Sequence, residues 1–217
     1  MPEKLVLFEI PPSPNSVKAR LALNYKGLPF ERRPIDFKAE SGRAEIIRLS
    51  GQPLTPMLLH GERAVWDSAA ILRYLDTAFP SSPRLYSEDV ETMYAIDGWE
   101  KFGRVALMEP LGKVIGQFFS GKVDPALSAE ASKEINALTA RIEERLADGK
   151  FLVGDCLTAA DITCAPGVFY AMVPEQFAQE DPAKFLCANF HLGEGRDRTR
   201  DWAMRIMQHD GVPEPVG

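Results

Sequence analysis

The sequence predicts two domains: an α+β domain of order β-α-β, a variable segment, then β-β-α, followed by a domain built of helices alone. Three observations predict it. Strand and helix signals alternate through the first 80 residues, helical spacing prevails from Glu88 onward, and the stretch FPSSPRLYS, rich in proline and serine, separates the two. The boundaries that follow are residues 1–80, a linker at 81–87, and residues 88–217.

Lys4 to Ile10 is a short apolar run with the character of a buried strand. From Ser16 the residues Val17, Leu21 and Tyr25 recur every fourth position, and Lys26-Gly27 closes that helix as helix C-termini prefer. Phe30 to Asp36 is a weaker strand, which Pro34 pushes toward a sheet edge because proline cannot donate to a ladder. Met57 to His60 and Arg63 to Trp66 flank Gly61-Glu62, a two-residue loop with glycine first, and so predict a hairpin. A helix follows with Ile71, Leu72 and Leu75 on its apolar face and Pro80 as its stop.

In the second domain Ala131, Ile135, Leu138, Ile142 and Leu146 form an amphipathic stripe, and the charges beside it (Glu134, Arg141, Glu143, Glu144, Arg145) are expected on a solvated surface. Thr158 lies three residues before Asp161, the spacing of a capping box, with Leu157 and Ile162 placed to staple the entry of a buried helix. Pro110 is expected to kink a long helix, and Trp202, Ile206 and Met207 to pack a final one.

Composition narrows the function classes. With 45% apolar and 26% charged residues in 217, the chain has the makings of substantial cores. A net charge of −6 argues against nucleic acid or an anionic membrane as the partner, since phosphate binding needs a basic footprint. No apolar run approaches the roughly 20 residues of a membrane span, and Met1-Pro2-Glu3-Lys4 leads directly into a strand, so a cytoplasmic protein is expected. Cys156, Cys164 and Cys187 lack zinc or dithiol spacing and are expected as small buried apolar residues. His60, His191 and His209 are scattered with no partner at metal or triad spacing, which predicts no metal site and surface or hairpin positions.

The segment PPSPNSVKAR, residues 11–20, places hydroxyls at a strand-to-helix junction. Read on its own, it is a proline-rich turn opened by Ser13, with Asn15 or Ser16 as the helix N-cap. Read with Thr55-Pro56, WDSAAILRYLD and FLVGDCLTAADI, in that order along nearly the whole chain, it resembles the soluble glutathione transferase family. The resemblance implies the glutathione transferase fold, a thioredoxin-like N-terminal domain followed by an all-helical C-terminal domain. It also implies glutathione as co-substrate, a homodimer, and detoxification chemistry in which a thiolate attacks a hydrophobic electrophile. A glutathione-dependent isomerase, an ether-cleaving enzyme and a non-catalytic scaffold are the alternatives on this fold.

The chemistry fits the junction. A free thiol with a pKa of about 8.5 is only a few per cent ionised at neutral pH, and the thiolate is the nucleophile. Lowering that pKa by about two units takes about 2.7 kcal/mol of preferential stabilisation, within reach of a few donors at a helix N-terminus. By resemblance Ser13 is the catalytic hydroxyl, with Asn15 a second candidate and Ser16 a third. No cysteine or tyrosine stands there, which disfavours glutathionylating chemistry. The resemblance further implies a cis Pro56 presenting the Thr55 backbone to the cysteinyl unit, and Asp67 and Ser68 holding the γ-glutamyl group. Leu54 stands where many relatives carry a basic residue for the glycyl carboxylate; Gln52, Lys38 or Arg43 are the substitutes. Trp99, Phe102, Met108, Phe118 and Phe119 offer apolar surface for the electrophile, which the resemblance puts between the domains.

Overall fold

A computed structural model describes residues 3–36, 40–178 and 181–211. The chain forms two compact units, Met1–Tyr86 and Ser87–Gly217.

In the first unit four strands, β1 (Leu5–Glu9), β2 (Phe30–Pro34), β3 (Met57–His60) and β4 (Arg63–Val65), form a sheet of order β2-β1-β3-β4. β1 runs parallel to β2 and antiparallel to β3, and β3 and β4 form the predicted hairpin, with His60 opposite Arg63. Gly61 opens its turn at φ +60°, a conformation that favours glycine. Pro34 lies on the edge strand, where a missing N–H costs no ladder bond.

Every residue of β1 is buried. Val6 and Phe8 pack with Met57 and with Ile46 of helix α2 (Glu40–Ser50). Alternation turns Leu5 and Leu7 to the other face, where α1 (Pro14–Tyr25) packs on α3 (Ser68–Ala78) and α3 on β3 and β4. Helix α2 occupies the segment that the sequence left variable. Its apolar signal is confined to Ile46, Ile47 and Leu49, and Ser-Gly in its first turn is a weak helix start, so tertiary packing of Ile46 decides it.

Buried charges in this unit are paired. The Glu9 carboxylate at the end of β1 takes Arg20 from α1 and, at 2.5 Å, Arg32 from β2. Lys26 at the end of α1 donates to Asp76 of α3 at 3.0 Å and to the Pro83 carbonyl at 2.8 Å. Asp76 also accepts from the Leu85 N–H at 2.7 Å, so one ion pair ties two helices to the chain that leaves them.

The second unit has six α-helices among its described residues: α4 (Val90–Arg104), α5 (Met108–Ser120), α6 (Pro125–Arg145), α7 (Ala159–Phe169), α8 (Ala183–Asn189) and α9 (Asp197–Met207). α7 is buried along its whole length and packs against α4 and α9. At Gly103 the approach of α4 to α7 is so close that a Cβ would lie 2.8 Å from Cys164 Sγ. The capping box is present, and Asp161 reaches further than a cap. Its carboxylate accepts from the Thr158 N–H at 3.0 Å, the Thr158 hydroxyl at 3.1 Å, the Leu152 N–H at 2.9 Å and Trp202 Nε1 of α9 at 2.9 Å. Burial pushes this carboxyl up from its ordinary pKa, against the pull of those donors.

Three expectations are corrected here. Pro110 kinks nothing: α4 ends at Arg104, and Pro110 sits in the first turn of α5, where its missing N–H is needed by no bond. The charges on α6 are structural in part. Glu143 accepts from the Thr199 N–H and hydroxyl and from the Arg198 N–H, closing the start of α9, while Arg141 lies 4.4 Å from the Trp99 ring centroid and Arg145 donates to the Leu152 carbonyl. Cys164 is buried as expected, but Cys156 is exposed and Cys187 is half-buried.

Candidate functional site

Strand register brings the sequence motifs to one end of the sheet. Phe8 of β1 faces Met57 of β3, so the chain leaving β1 toward Ser13 emerges beside Thr55-Pro56 entering β3. Leu58 faces Val65, so Trp66, Asp67 and Ser68 leave β4 at that same end. Pro34 faces Glu9 in parallel, which sends the chain after β2 toward it as well. Helices α1 and α3 therefore both begin there, with their N-terminal N–H groups and positive dipole ends directed to one place. The opposite end of the sheet holds His60, whose Nδ1 is 2.7 Å from the Tyr74 hydroxyl, beside an open concavity of about 510 Å³ that none of the candidate residues lines.

Ser13 takes the N-cap position of α1, yet its half-buried hydroxyl makes no capping bond. Most N-cap serines satisfy a first-turn N–H; here the hydroxyl and the N–H groups of Asn15 and Ser16 have no partner among the described residues. The Asn15 side chain is exposed and its Oδ1 accepts from Lys18 Nζ at 3.2 Å. Ser16 is fully buried at 0% exposure, and its hydroxyl accepts from the Ile10 N–H at 3.3 Å. That gives Ser16 the work of bracing the loop and takes its side chain out of reach of a ligand. Arg20 braces the same loop by donating to the Pro11 carbonyl at 3.1 Å.

The Thr55–Pro56 peptide is cis, and the Thr55 backbone groups have no partner among the described residues. Gln52 is occupied: its Oε1 accepts from the Leu54 N–H at 2.6 Å, and its Nε2 donates to Ser50 Oγ and the Leu54 carbonyl. Both amide hydrogens are spent on the turn, so Gln52 shapes the approach to Pro56 and has no donor left for a carboxylate. Leu54 itself is 66% exposed. Lys38 lies outside the described residues, and Arg43 is exposed in the first turns of α2.

Asp67 is the N-cap of α3 and accepts from the Ala70 N–H at 3.1 Å. The Trp66–Asp67 peptide is also cis. Ser68 follows as the first helical residue, buried, with a hydroxyl that bonds to none of the described residues. Among the described residues Asp67 answers only the Ala70 N–H, which leaves those of Ser68 and Ala69 directed at the same end of the sheet. Two helix N-termini, two unengaged serine hydroxyls and an unpaired backbone segment together suit a ligand with several anionic groups and an extended backbone of its own.

The supporting cations Lys18 and Arg20 were not singled out from the sequence. Their signal was legible: two basic residues inside a helix whose neighbours Val17, Ala19 and Leu21 are all apolar. Among the described residues no group of three or more His, Cys, Asp or Glu is placed to hold a metal ion. Of the apolar residues proposed for the electrophile, Trp99 is buried and edge-on to Phe102, Phe118 packs with Phe185, and Phe119 is exposed.

Family models for the N-terminal and C-terminal domains of glutathione S-transferase match residues 7–83 and 107–191. The chain belongs to the glutathione S-transferase family. Among members of this family, the rice protein named "Probable glutathione S-transferase GSTU1" (Oryza sativa subsp. indica) is 29% identical over 220 residues, covering 97% of this chain and 88% of that one. A "Probable maleylacetoacetate isomerase" of Vibrio cholerae is 30% identical over 176 residues, 77% of this chain and 81% of its own. A crystal structure of a rice glutathione S-transferase in complex with glutathione superposes with a TM-score of 0.77 at 26% identity, covering 98% of this chain and 90% of that one. The thioredoxin-like domain followed by a helical domain is thus the glutathione transferase fold expected from the sequence.

Proposed function

We propose that the protein is a glutathione S-transferase that binds glutathione at the shared end of β1, β3 and β4, stabilises its thiolate, and conjugates it to a hydrophobic electrophile. The observation that carries this reading is the Ser13 hydroxyl, which stands at a helix N-terminus without capping it. The hydroxyl donates to the sulfur, and the Asn15 amide and the free N–H groups of the first turn add to the same field. Thr55 pairs its backbone with the cysteinyl unit. Ser68 and the N–H groups of α3 take the γ-glutamyl carboxylate, and Asp67 faces its ammonium. Arg43, exposed near the start of α2, is the described candidate for the glycyl carboxylate.

The sulfur then attacks an electrophilic carbon: a C–S bond forms, the bond to the leaving group breaks, and its electron pair leaves as, for example, chloride. Catalysis is positioning plus electrostatic stabilisation, with no metal required by any step. Detoxification in the cytoplasm is the setting this chemistry suits; no helix of the described residues is long and apolar enough to cross a membrane. Exposed Val90 and Tyr94 on α4 support a homodimer, because apolar side chains grouped on one face favour a partner surface.

Turnover of glutathione with an activated aryl chloride tests the reading: conjugate and chloride should appear in equal amounts, with loss of free thiol. The Vibrio cholerae relative favours a second reading, a glutathione-dependent isomerase. Isomerisation regenerates the thiol, so a cis-trans change in an unsaturated diketo acid without thiol loss would select it. Binding of glutathione with neither reaction would select the non-catalytic scaffold.

A further inference from the structure

Lys18 is a lysine buried to 1% exposure on the second turn of α1. Long side chains on a helix lie back over the preceding turn, and this one brings its Nζ to 3.2 Å from Asn15 Oδ1 in the first turn. The pairing has a chemical consequence. An ammonium has three donors and no acceptor, so the Asn15 atom that faces it must be the oxygen. The amide nitrogen, with its two hydrogens, is thereby turned away from Lys18. Without such a neighbour an exposed asparagine at this position is free to present either end, and the oxygen end would repel an anion. The charge itself acts in the same direction. A cation over the first turn adds to the positive end of the helix dipole rather than offsetting it.

We propose that Lys18 is a positioning residue for the thiolate: it fixes the Asn15 amide with its N–H₂ group toward the sulfur and reinforces the positive potential at the start of α1. The inference rests on the glutathione transferase reading above. It gives a use to a lysine in a helix whose residues Ser16 to Leu23 are all buried.

The test is the pH titration of bound glutathione, followed by thiolate absorbance, in the parent, Lys18→Met, Lys18→Arg, Asn15→Ala and the Lys18→Met/Asn15→Ala pair. Lys18→Met should raise the thiol pKa by about one unit, an about tenfold loss of thiolate below it, while glutathione affinity stays within about threefold. Lys18→Arg, which keeps a donor-only cation, should retain the parent titration. In the Asn15→Ala background Lys18→Met should add clearly less than it does in the parent, because only the direct effect of its charge remains. An unchanged titration in Lys18→Met, or a full additional shift in the pair, overturns the proposal. If Lys18→Met does not fold, the parent decides through the side-chain amide signal of Asn15, assigned by its loss in Asn15→Ala. That signal should move when glutathione is exchanged for S-methylglutathione, which cannot form a thiolate; indifference to the exchange overturns the proposal. A parent whose bound thiol titrates like free glutathione overturns the transferase reading and this inference with it. A lowered parent titration that Lys18→Met leaves unaltered overturns this inference alone.

Discussion

Arg20 is the buried partner of Glu9 and at the same time a donor to the Pro11 carbonyl, so one guanidinium joins the end of β1 to the loop that carries Ser13. Removing Glu9 takes the carboxylate from two guanidinium groups at once, Arg20 and Arg32, and breaking a buried pair costs about 3–5 kcal/mol. Glu9→Ala should therefore lower the urea midpoint strongly. It should also reduce conjugation beyond what unfolding explains, because Arg20 loses one of the contacts that hold it under Pro11. Assays well below the melting temperature separate the two effects.

Asp161 answers four donors across three segments of the helical unit. Asp161→Ala strands the Leu152 N–H, the Thr158 N–H and Trp202 Nε1 in a buried place, and each stranded donor costs about 1–3 kcal/mol. A destabilisation of about 4 kcal/mol is expected in denaturant melts, with the near-ultraviolet signal of Trp202 altered.

These two hubs differ in how far they could be read beforehand. The Thr158/Asp161 box and the order of strands and helices were legible because caps, turns and periodicity are local. The reach of Asp161 to Trp202, 41 residues away, is tertiary and leaves no local trace. Helix α2 was missed for the same reason, since Ile46 earns its place only against Phe8 and Met57. At the site, Ser13, Thr55-Pro56 and Asp67-Ser68 were named from motifs, whereas the burial of Ser16, the full occupation of Gln52 and the roles of Lys18 and Arg20 depend on which way side chains turn after folding.

Leu54 is exposed where the glycyl carboxylate is expected, with Gln52 holding its backbone on both sides. Leu54→Arg should tighten glutathione by about threefold to tenfold, the scale of a partly exposed ion pair or charge-assisted bond. The gain should shrink with added salt and should appear in KM for glutathione with kcat little changed. Titration calorimetry at two ionic strengths checks it.

Glu143 predicts a pH dependence. Burial alone would raise its pKa, but the bonds from the Thr199 hydroxyl, the Thr199 N–H and the Arg198 N–H, with the nearby Arg198 charge, outweigh it and hold the carboxyl below its ordinary value. A carboxyl depressed in the folded state contributes stability that is full above its unfolded pKa, about 4.3, and is lost as pH falls through the lower folded value. The stability difference between the parent and Glu143→Gln should be largest near neutrality and should narrow below about pH 4. A difference that stays constant with pH would show that the bonds to α9 do not depend on the charge.

The Ser13 hydroxyl, which does not cap its own helix, is proposed to serve a bound thiolate, and the measurement that tests this compares the thiolate absorbance of bound glutathione against pH in the parent and Ser13→Ala. The parent should form thiolate near neutral pH. Ser13→Ala should return the titration toward that of free thiol and lower kcat/KM by about a hundredfold, the loss expected for one preorganised donor. Because the hydroxyl makes no capping bond, stability should change by less than about 0.5 kcal/mol. A Ser13→Ala protein that still ionises glutathione near neutrality and turns over at the parent rate would contradict the account.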